Sequence, residues 1–319
     1  MDTILSPKLL KDLKAVSSLL KNDVSSEPII KSLYEYIFDK DGKKLRPLVS
    51  LIFSQGSESK KRIMLATIIE LLHVATLVHD DVVDKAQTRR GKKAVNKVWN
   101  NSHSVLIGDY IYSKAFIKMV HLKRLDILQE LSNATNDIAK GELLQLSLYN
   151  KGKIVTKEKC LEIAYFKTGR LFEASAITGA MMQSKSKDVI SVAKSFGQNI
   201  GIAFQVKDDL LDVELNSKSG KEKFKDFSEG KYTLPLILTL EKTTISNVKH
   251  LYSKFGKKLT KSEKEDIFSI MYSSKAIDEC EKILNNYNEL AQKAVTKLEK
   301  NLDYSDLNQL ISYSSVRSL

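Results

Sequence analysis

The sequence has few of the residues that interrupt helices or build covalent frameworks, with two cysteines and four prolines among 319 residues. Cys160 and Cys280 lie far apart and have no His or Cys neighbour at metal-binding spacing. This argues against a disulfide framework and a zinc site, and it fits a reducing compartment. Because Leu48–Leu234 contains no proline that would break a helix, long helices are predicted there.

The sequence also lacks a long apolar run without ionisable residues. The most apolar stretch, Ile63–Val83, contains Glu70, His73 and Asp80, whose side chains are costly at membrane depth. We therefore predict a buried core helix there. The N-terminal residues lack the basic start and apolar stretch of a secretory signal, so a cytoplasmic location is expected.

The charge of the chain is strongly positive, at a formal +12, within a globular composition of 42% hydrophobic and 28% charged residues. Such charge can indicate nucleic-acid binding, but the lysines are scattered and no nucleic-acid-binding motif accompanies them. We expect no nucleic-acid partner and a Lys-rich solvated surface. A minority of the cations would serve anionic substrates or an anionic membrane surface.

Apolar residues recur at spacings of three and four in Ile63–Val83, Leu125–Leu148 and Val189–Val213, without the alternation of a strand. The chain is therefore predicted to be all-α. Most of the polar, Gly- or Lys-rich breaks between helices are short, but Asn216–Lys231 is longer, highly charged and expected to be mobile without a ligand. No repeat or low-complexity linker divides the chain, which predicts one domain over residues 1–319.

Two aspartate-rich segments follow apolar helices: DDVVD at Asp80–Asp84, the first aspartate cluster, and DDLLD at Asp208–Asp212, the second. In each, the outer carboxylates stand four residues apart and therefore share one helix face, where like charges repel by roughly 0.2–0.5 kcal/mol. Mg²⁺ would offset this repulsion, because it prefers carboxylate and phosphate oxygens. An isolated copy would more often be a helix cap or a solvated helix end; two copies favour a magnesium–diphosphate site.

A site for diphosphate also needs basic side chains. Basic segments occur before, between and after the clusters, although each alone is a weak signal: GKKLRP at 42–47, RRG at 89–91, KTG at 167–169 and GKYTLP at 230–235.

Taken in order, these segments resemble the motifs of the trans-prenyl diphosphate synthase family, and most closely those of its bacterial octaprenyl diphosphate synthases. The resemblance covers nearly the whole chain and is carried by GKKLRP, ELLHVATLVHDDVVDKAQTRRG, IGDYIYSKAF, AKGELLQL, KTGRLFEAS, AFQVKDDLLDV and EGKYTLPL. It implies a single large helical bundle of the isoprenoid synthase type with a central apolar cavity. It also implies a prenyltransferase that condenses isopentenyl diphosphate head to tail with an allylic diphosphate such as farnesyl diphosphate.

The resemblance also implies roles for individual residues. Those expected to hold the diphosphate of isopentenyl diphosphate are Lys43, Arg46, His73 and Arg90. Those expected to bind two to three Mg²⁺ ions per site, bridging the allylic diphosphate, are Asp80, Asp84 and Asp208, with Asp81, Asp209 and Asp212 as supporting ligands or in the second shell. Those expected at the allylic diphosphate or the reacting end of the chain are Arg89, Lys167, Lys231, Thr168 and Gln205.

One segment departs from the family pattern. Where a second glycine commonly follows the GK after the second cluster, this chain has Phe224 within GKEKFKD. The conformation of that loop is therefore in doubt, and Lys231 is a firmer candidate than Lys221.

The residues before the first cluster bear on product length. In the family, aromatic residues five and four positions before the first aspartate stop chain growth early, and here these positions hold the small Ala75 and Thr76. A long product is therefore expected, with octaprenyl diphosphate for the ubiquinone side chain as the leading interpretation. Alternatives are a farnesyl or geranylgeranyl diphosphate synthase and a non-catalytic prenyltransferase subunit. The resemblance further suggests a homodimer, and peripheral membrane contact for product release stays open.

Overall fold

A computed structural model describes residues 5–148, 155–183, 186–215, 223–297 and 305–315. Within these ranges the chain is almost entirely helical, which confirms the all-α prediction, and the strands there form a small antiparallel hairpin. The elements in chain order are α1 Pro7–Asn22, α2 Pro28–Phe38, α3 Leu45–Phe53, α4 Ser59–Val83, β1 Thr88–Arg89, β2 Lys92–Lys93, α5 Val95–Val98, α6 Asn101–Leu122, α7 Leu125–Leu148, α8 Lys157–Ala164, a π-helical turn Tyr165–Gly169, α9 Arg170–Gln183, α10 Lys187–Val213, α11 Lys225–Ser228, α12 Leu234–Lys242, α13 Ile245–Lys254, α14 Lys261–Ser273, α15 Ala276–Thr296 and α16 Ser305–Ser315.

The three long helices α4, α7 and α10 coincide with the three periodic stretches of the sequence. Helix α4 begins four residues before its apolar pattern, at Ser59, because its first turn is polar and periodicity alone does not detect it. The prolines act as helix starts: Pro7, Pro28 and Pro235 lie in the first turns of α1, α2 and α12, where the missing N–H group would have had no helical partner.

The structure divides into two compact units, and the first comprises Met1–Thr135, Ala174–Lys194 and Asp303–Leu307. In its core, α4 packs against α1, α3 and α6. Helix α4 is long and apolar enough to cross a membrane, but 61% of its most apolar window is buried inside the protein. The prediction of a buried core helix is confirmed.

The second unit comprises Asn136–Glu173, Ser195–Leu302 and Asn308–Leu319. Here α12 packs against α8, α14 and α15 around a hydrophobic cluster that includes Phe224, Phe227 and Met271. Both cysteines belong to this cluster as buried free thiols, as expected for a chain without a disulfide framework.

Two connecting segments differ from the sequence-based expectation. The break after the first cluster contains the hairpin β1–β2, whose strands are too short for periodicity to detect. Of the break predicted to be mobile, residues 216–222 lie outside the described residues, whereas 223–231 contain α11 and a defined set of hydrogen bonds. In this second part Lys225 and Lys231 form ion pairs with Glu229 and Asp226, which composition alone cannot show.

Candidate active site

The first aspartate cluster lies at the C-terminal end of α4. Asp80 and Asp81 belong to its last turn, and Asp84 ends the helix, with its N–H donating to the Asp80 carbonyl at 2.8 Å. Carboxylates here face the negative end of the helix dipole, which adds to their mutual repulsion. Cations next to the cluster are therefore needed to stabilise it.

Arg89 on β1 supplies one such cation. Its Nε and Nη2 atoms donate to Asp81 Oδ1 at 2.9 and 2.5 Å, and Asp81 is only 3% exposed. Asn96 donates to the Asp81 carbonyl at 3.1 Å and joins α5 to the same helix end. Because charge-assisted Arg–carboxylate contacts are strong and directional, Asp81 fixes the position of Arg89.

Arg90 lies in the turn of the hairpin. Arg90 and Gly91 have φ angles of 52° and 74°, the two positive values of a type I′ turn. This turn directs the Arg90 guanidinium back to the linker after α2 and to α4, where Nη1 donates to the Lys40 carbonyl at 3.2 Å and Nη2 lies 3.9 Å from Glu70 Oε1. The guanidinium also lies against Gly42, where a Cβ atom would collide with it. A larger residue at Gly42 of GKKLRP would therefore displace the guanidinium from this position.

Arg46 and His73 form the other side of this basic group, on α3 and α4. Arg46 Nη1 donates to His73 Nε2 at 3.1 Å, so the ring nitrogen must be an acceptor and the imidazole neutral. Burial and the nearby Arg46, Arg90 and Arg89 hold the pKa of His73 well below its usual range. Lys43, in the turn before α3, is exposed. The structure thus brings Arg46, His73 and Arg90 together within the first unit.

Glu70 is a member of this group that sequence reasoning missed. Its side chain lies one helical turn before His73, it is 2% exposed, and burial raises the pKa of its carboxyl although Arg90 and Arg46 oppose that shift. The sequence signal for it is an acidic residue on an apolar helix, three positions before a histidine.

The two residues expected to set product length differ in accessibility. Ala75 is fully buried, whereas Thr76 is partly exposed and donates from Oγ1 to the His73 carbonyl at 2.8 Å. A large side chain at Ala75 would therefore have to displace packed neighbours.

The second aspartate cluster lies at the end of α10, in the second unit. Asp208 is exposed, whereas Asp209 is buried and accepts from Gln205 Nε2 at 2.8 Å and from the Leu234 N–H at 3.1 Å. Burial raises the pKa of Asp209 to about 7, and the nearby carboxylates of Asp226 and Asp208 add to the shift.

Asp212 is engaged by the backbone that follows α10. Its carboxylate accepts from the N–H groups of Lys225 and Asp226 at 3.1 and 3.3 Å. Burial and the neighbouring Asp226 carboxylate raise the pKa of Asp212. Asp212 therefore orders the segment that leads to Lys231.

Lys167 and Thr168 lie in the π-helical turn Tyr165–Gly169, a geometry that occurs frequently at functional sites. Lys167 Nζ lies 2.7 Å from Glu142 Oε1 and also donates to Gln145, while Thr168 donates to Gln205 Oε1 at 2.6 Å. Thr168, Gln205 and Asp209 are thus linked by consecutive hydrogen bonds. Glu142 and Gln145 of the AKGELLQL segment thus hold Lys167, a role that the sequence alone does not indicate.

Two glycines make room for this turn. A Cβ atom on Gly141 of α7 would lie 2.7 Å from Phe166 Cβ, and one on Gly201 of α10 would lie 2.5 Å from Gly169 Cα. Neither contact is tolerable, so both positions require glycine for the neighbouring helices to approach.

Lys231, which is 7% exposed, follows α11. Its Nζ atom lies 2.9 Å from Glu229 Oε2 and 3.6 Å from Asp226 Oδ1, and its N–H donates to the Asp226 carbonyl at 2.9 Å. In the second unit, Thr168 and Gln205 are thus connected to the second cluster through Asp209, and Lys231 is connected to it through Asp226, whereas Lys167 is held by Glu142 and Gln145 of α7.

The donor chemistry of both clusters fits Mg²⁺ that is shared with a phosphate ligand. Among the residues that the structure describes, no group of three or more His, Cys, Asp or Glu side chains is arranged to hold a metal ion by itself. Mg²⁺ usually takes one or two carboxylates and completes its shell with water and substrate phosphate oxygens. Asp81, Asp209 and Asp212 accept hydrogen bonds from protein groups, and which of the six carboxylates bind metal stays a prediction.

Comparison with known proteins agrees with this chemistry. The family model described as "Polyprenyl synthetase" matches residues 27–271. Octaprenyl diphosphate synthase of Escherichia coli is 38% identical over 231 residues, 71% of each chain. All-trans-nonaprenyl-diphosphate synthase (geranyl-diphosphate specific) of Rhodobacter capsulatus is 34% identical over 297 residues, 92% of this chain and 90% of that protein.

The fold is shared with solved structures as well. The crystal structure of polyprenyl synthase from Caulobacter crescentus, complexed with calcium and isoprenyl diphosphate, superposes with a TM-score of 0.89 at 30% identity, covering 98% of this chain and 96% of that one. The match of the family model, the identity to prenyl diphosphate synthases and the common all-helical fold agree with one another. The chain belongs to the polyprenyl synthetase family of trans-prenyl diphosphate synthases and is a prenyltransferase.

Proposed function

We propose that the protein is a long-chain trans-polyprenyl diphosphate synthase that adds isopentenyl diphosphate head to tail to an allylic diphosphate, with octaprenyl diphosphate as its product. The observation that carries the proposal is the combination of two kinds of group on α4. His73, with Arg46 and Arg90 beside it, lies seven residues before Asp80 on the same helix. A basic diphosphate site and an acidic metal site thus occur together, as a condensation of two diphosphates requires.

In this proposal Lys43, Arg46, His73 and Arg90 bind the diphosphate of isopentenyl diphosphate, and Glu70 holds the guanidinium groups in place. Neutral His73 would donate from its remaining ring N–H to a phosphate oxygen.

The allylic diphosphate would be bound by Arg89, Lys167 and Lys231, whose acidic partners in the structure keep them in place without substrate. Asp80, Asp84 and Asp208 would hold two to three Mg²⁺ ions. When bound, Mg²⁺ supplies positive charge that stabilises the diphosphate leaving group as the allylic C–O bond breaks. Thr168 and Gln205 would lie at the reacting end of the chain, and apolar helices would keep water from the allylic cation.

The decisive experiment incubates purified protein with farnesyl diphosphate, labelled isopentenyl diphosphate and Mg²⁺, followed by sizing of the dephosphorylated products. The expected result is a ladder that ends at the octaprenyl chain and is abolished by EDTA. A cyclic hydrocarbon product, or no incorporation of isopentenyl diphosphate, would contradict the proposal. If the protein by itself does not incorporate isopentenyl diphosphate but increases the activity of an added prenyltransferase, it is a non-catalytic subunit.

Product length has its own test. Thr76→Tyr should shorten the product, because the partly exposed Thr76 can accept a larger side chain that obstructs the growing chain. Thr76→Val, similar in size to Thr, is the matched control and should leave the product unchanged. Ala75→Phe is expected to act in the same direction but to destabilise the packed core by roughly 1–3 kcal/mol. A ladder of unaltered length for Thr76→Tyr would refute the role, and a geranylgeranyl or farnesyl product of the unaltered protein would establish the shorter-chain alternative.

We also propose that the protein is a cytoplasmic homodimer. Helix α6 exposes a stripe of apolar side chains on which Leu106, Ile117 and Val120 are 67%, 57% and 62% exposed. A second copy would bury such a stripe. Sedimentation velocity should give twice the chain mass, and Ile117→Glu should shift the protein towards the monomer, whereas Ile245→Glu at the comparably exposed Ile245 should not. Supply of the ubiquinone side chain and peripheral membrane contact for product release are part of the same proposal.

A further inference from the structure

Phe224 combines two features that rarely occur together. Its φ and ψ angles are 58° and 29°, in the left-handed region that side chains disfavour and glycine adopts readily. Its side chain is nevertheless completely buried in the hydrophobic cluster of the second unit. A bulky residue persists in this conformation only where its surroundings hold it there.

The surroundings hold Phe224 from three sides. Its N–H donates to the Asp212 carbonyl at 2.8 Å, and its own carbonyl accepts from the Ser228 N–H at 3.0 Å and the Ser228 hydroxyl at 2.8 Å. The ring belongs to the same hydrophobic cluster as Phe227 and Val213. Phe224 is thus fixed between the end of α10 and the start of α11.

The residues after Phe224 include the charged side chains next to the second aspartate cluster. The N–H groups of Lys225 and Asp226 donate to the Asp212 carboxylate, and Asp226 in turn accepts from the Lys231 N–H and lies 3.6 Å from Lys231 Nζ. A displacement of the backbone at Phe224 would therefore move Asp226 and Lys231 relative to α10.

We infer that Phe224 is a positioning residue: its buried ring holds the segment 225–231 on the end of α10 and thereby sets the position of Lys231, through its partner Asp226, for binding the allylic diphosphate. The identity of the substrate in this inference rests on the proposed function, whereas the positioning itself rests on the hydrogen bonds and burial of Phe224. It goes beyond packing, because a residue that only filled the core would affect stability without affecting one substrate more than the other.

The test uses three variants of the full-length protein. Phe224→Gly adopts the left-handed conformation without strain but has no ring. Phe224→Leu keeps an apolar anchor. Met271→Ala is the matched control, because Met271 is fully buried in the same cluster, on α14, and has no part in the segment 225–231.

The first readout is hydrogen–deuterium exchange without substrate or metal. In Phe224→Gly, the amides of Lys225, Asp226 and Lys231 should exchange about tenfold faster, because local opening of the segment becomes easier. Phe224→Leu should stay within about threefold of the unaltered protein, and Met271→Ala should leave these amides unchanged. Unchanged exchange in Phe224→Gly, or equal acceleration in Met271→Ala, would overturn the inference.

The second readout is kinetic. Phe224→Gly should raise KM for the allylic diphosphate by about tenfold and leave KM for isopentenyl diphosphate within about twofold, a split that general destabilisation would not produce. Equal changes in both constants would overturn the inference. If the unaltered protein has no activity, the proposed function fails, while the exchange experiment still decides the role of Phe224 as an anchor.

Should Phe224→Gly fail to fold, Ser228→Ala tests the same idea. It removes the hydroxyl that donates to the Phe224 carbonyl and leaves the core intact. The exchange rates and the allylic KM should then rise by about two- to threefold. Values equal to those of the unaltered protein would overturn the inference.

Discussion

The first aspartate cluster ends α4 beside two arginines, whereas the second ends α10 beside backbone amide groups. In the first, the middle carboxylate Asp81 holds Arg89, a cation that is expected to contact substrate. In the second, Asp209 and Asp212 accept from the N–H groups of Leu234, Lys225 and Asp226. The same DDxxD pattern thus orients a cation in one unit and orders a following segment in the other.

The partners of the carboxylates differ in kind between the two clusters. Asp81 pairs with a guanidinium group, whereas Asp212 accepts from backbone N–H groups and Asp209 accepts from one backbone N–H group and from Gln205. That Asp80, Asp84 and Asp208 bind metal stays a prediction from the family resemblance. A repeated motif thus meets different surroundings at the two helix ends.

The largest effects are expected where both clusters serve the metal. Asp80→Ala and Asp208→Ala should each lower turnover on the order of a hundredfold or more, because each removes an expected ligand of the Mg²⁺ ions whose positive charge stabilises the leaving diphosphate. The melting temperature should change little, and Asp188→Ala, which removes an exposed carboxylate from the first turn of α10, should leave turnover unaltered. Near-normal steady-state activity in either cluster variant would break the assignment of that cluster.

A second pair of variants sharpens the contrast between the middle carboxylates. Asp81→Asn should lower kcat/KM for the allylic diphosphate by about tenfold, because Arg89 loses its ionic partner. Asp209→Asn should stay within about threefold, because an amide oxygen still accepts from the Leu234 N–H. Steady-state kinetics of both variants measure kcat/KM for the allylic diphosphate side by side. Equal losses in the two variants would mean that the two middle carboxylates have the same role.

The smallest effect concerns how stability depends on pH. It tests the first unit separately, because His73 belongs to that unit. The pKa of His73 is depressed in the folded state, so the unfolded chain binds a proton that the folded protein does not once pH falls below about 6.5. The free energy of unfolding should then decrease by about 1.4 kcal/mol per pH unit for this one group.

His73→Gln keeps an acceptor for Arg46 and does not titrate, so urea unfolding between pH 5 and 7 should show a smaller acid loss than in the unaltered protein, by up to that slope. Glu70 has a raised pKa, so its contribution to the free energy of unfolding increases as the pH falls. Because Glu70 is present in both His73→Gln and the unaltered protein, its contribution cancels when the two are compared. Parallel pH profiles would show that His73 is not held neutral by its surroundings.

Much of the fold followed from local pattern. The proline-free stretch and the recurrence of apolar residues at three and four predicted α4, α7 and α10, since helix periodicity is a property of neighbouring residues. The hairpin, the π-helical turn and α11 could not be predicted in this way. Each is a few residues long and depends on contacts with residues distant in sequence, such as Gly42 for Arg90 and Gly141 for Lys167.

The sequence by itself determined the family, the all-α class and the identity of the charged groups, because these depend on residue type and order. The tertiary structure decided which partners several of those groups have: Asp81 holds Arg89, Glu70 lies 3.9 Å from Arg90, and Phe224 takes the place of a glycine through burial of its ring. The physical reason is that burial and pairing are set by residues far apart along the chain, and these set the charge and position of every group at the site.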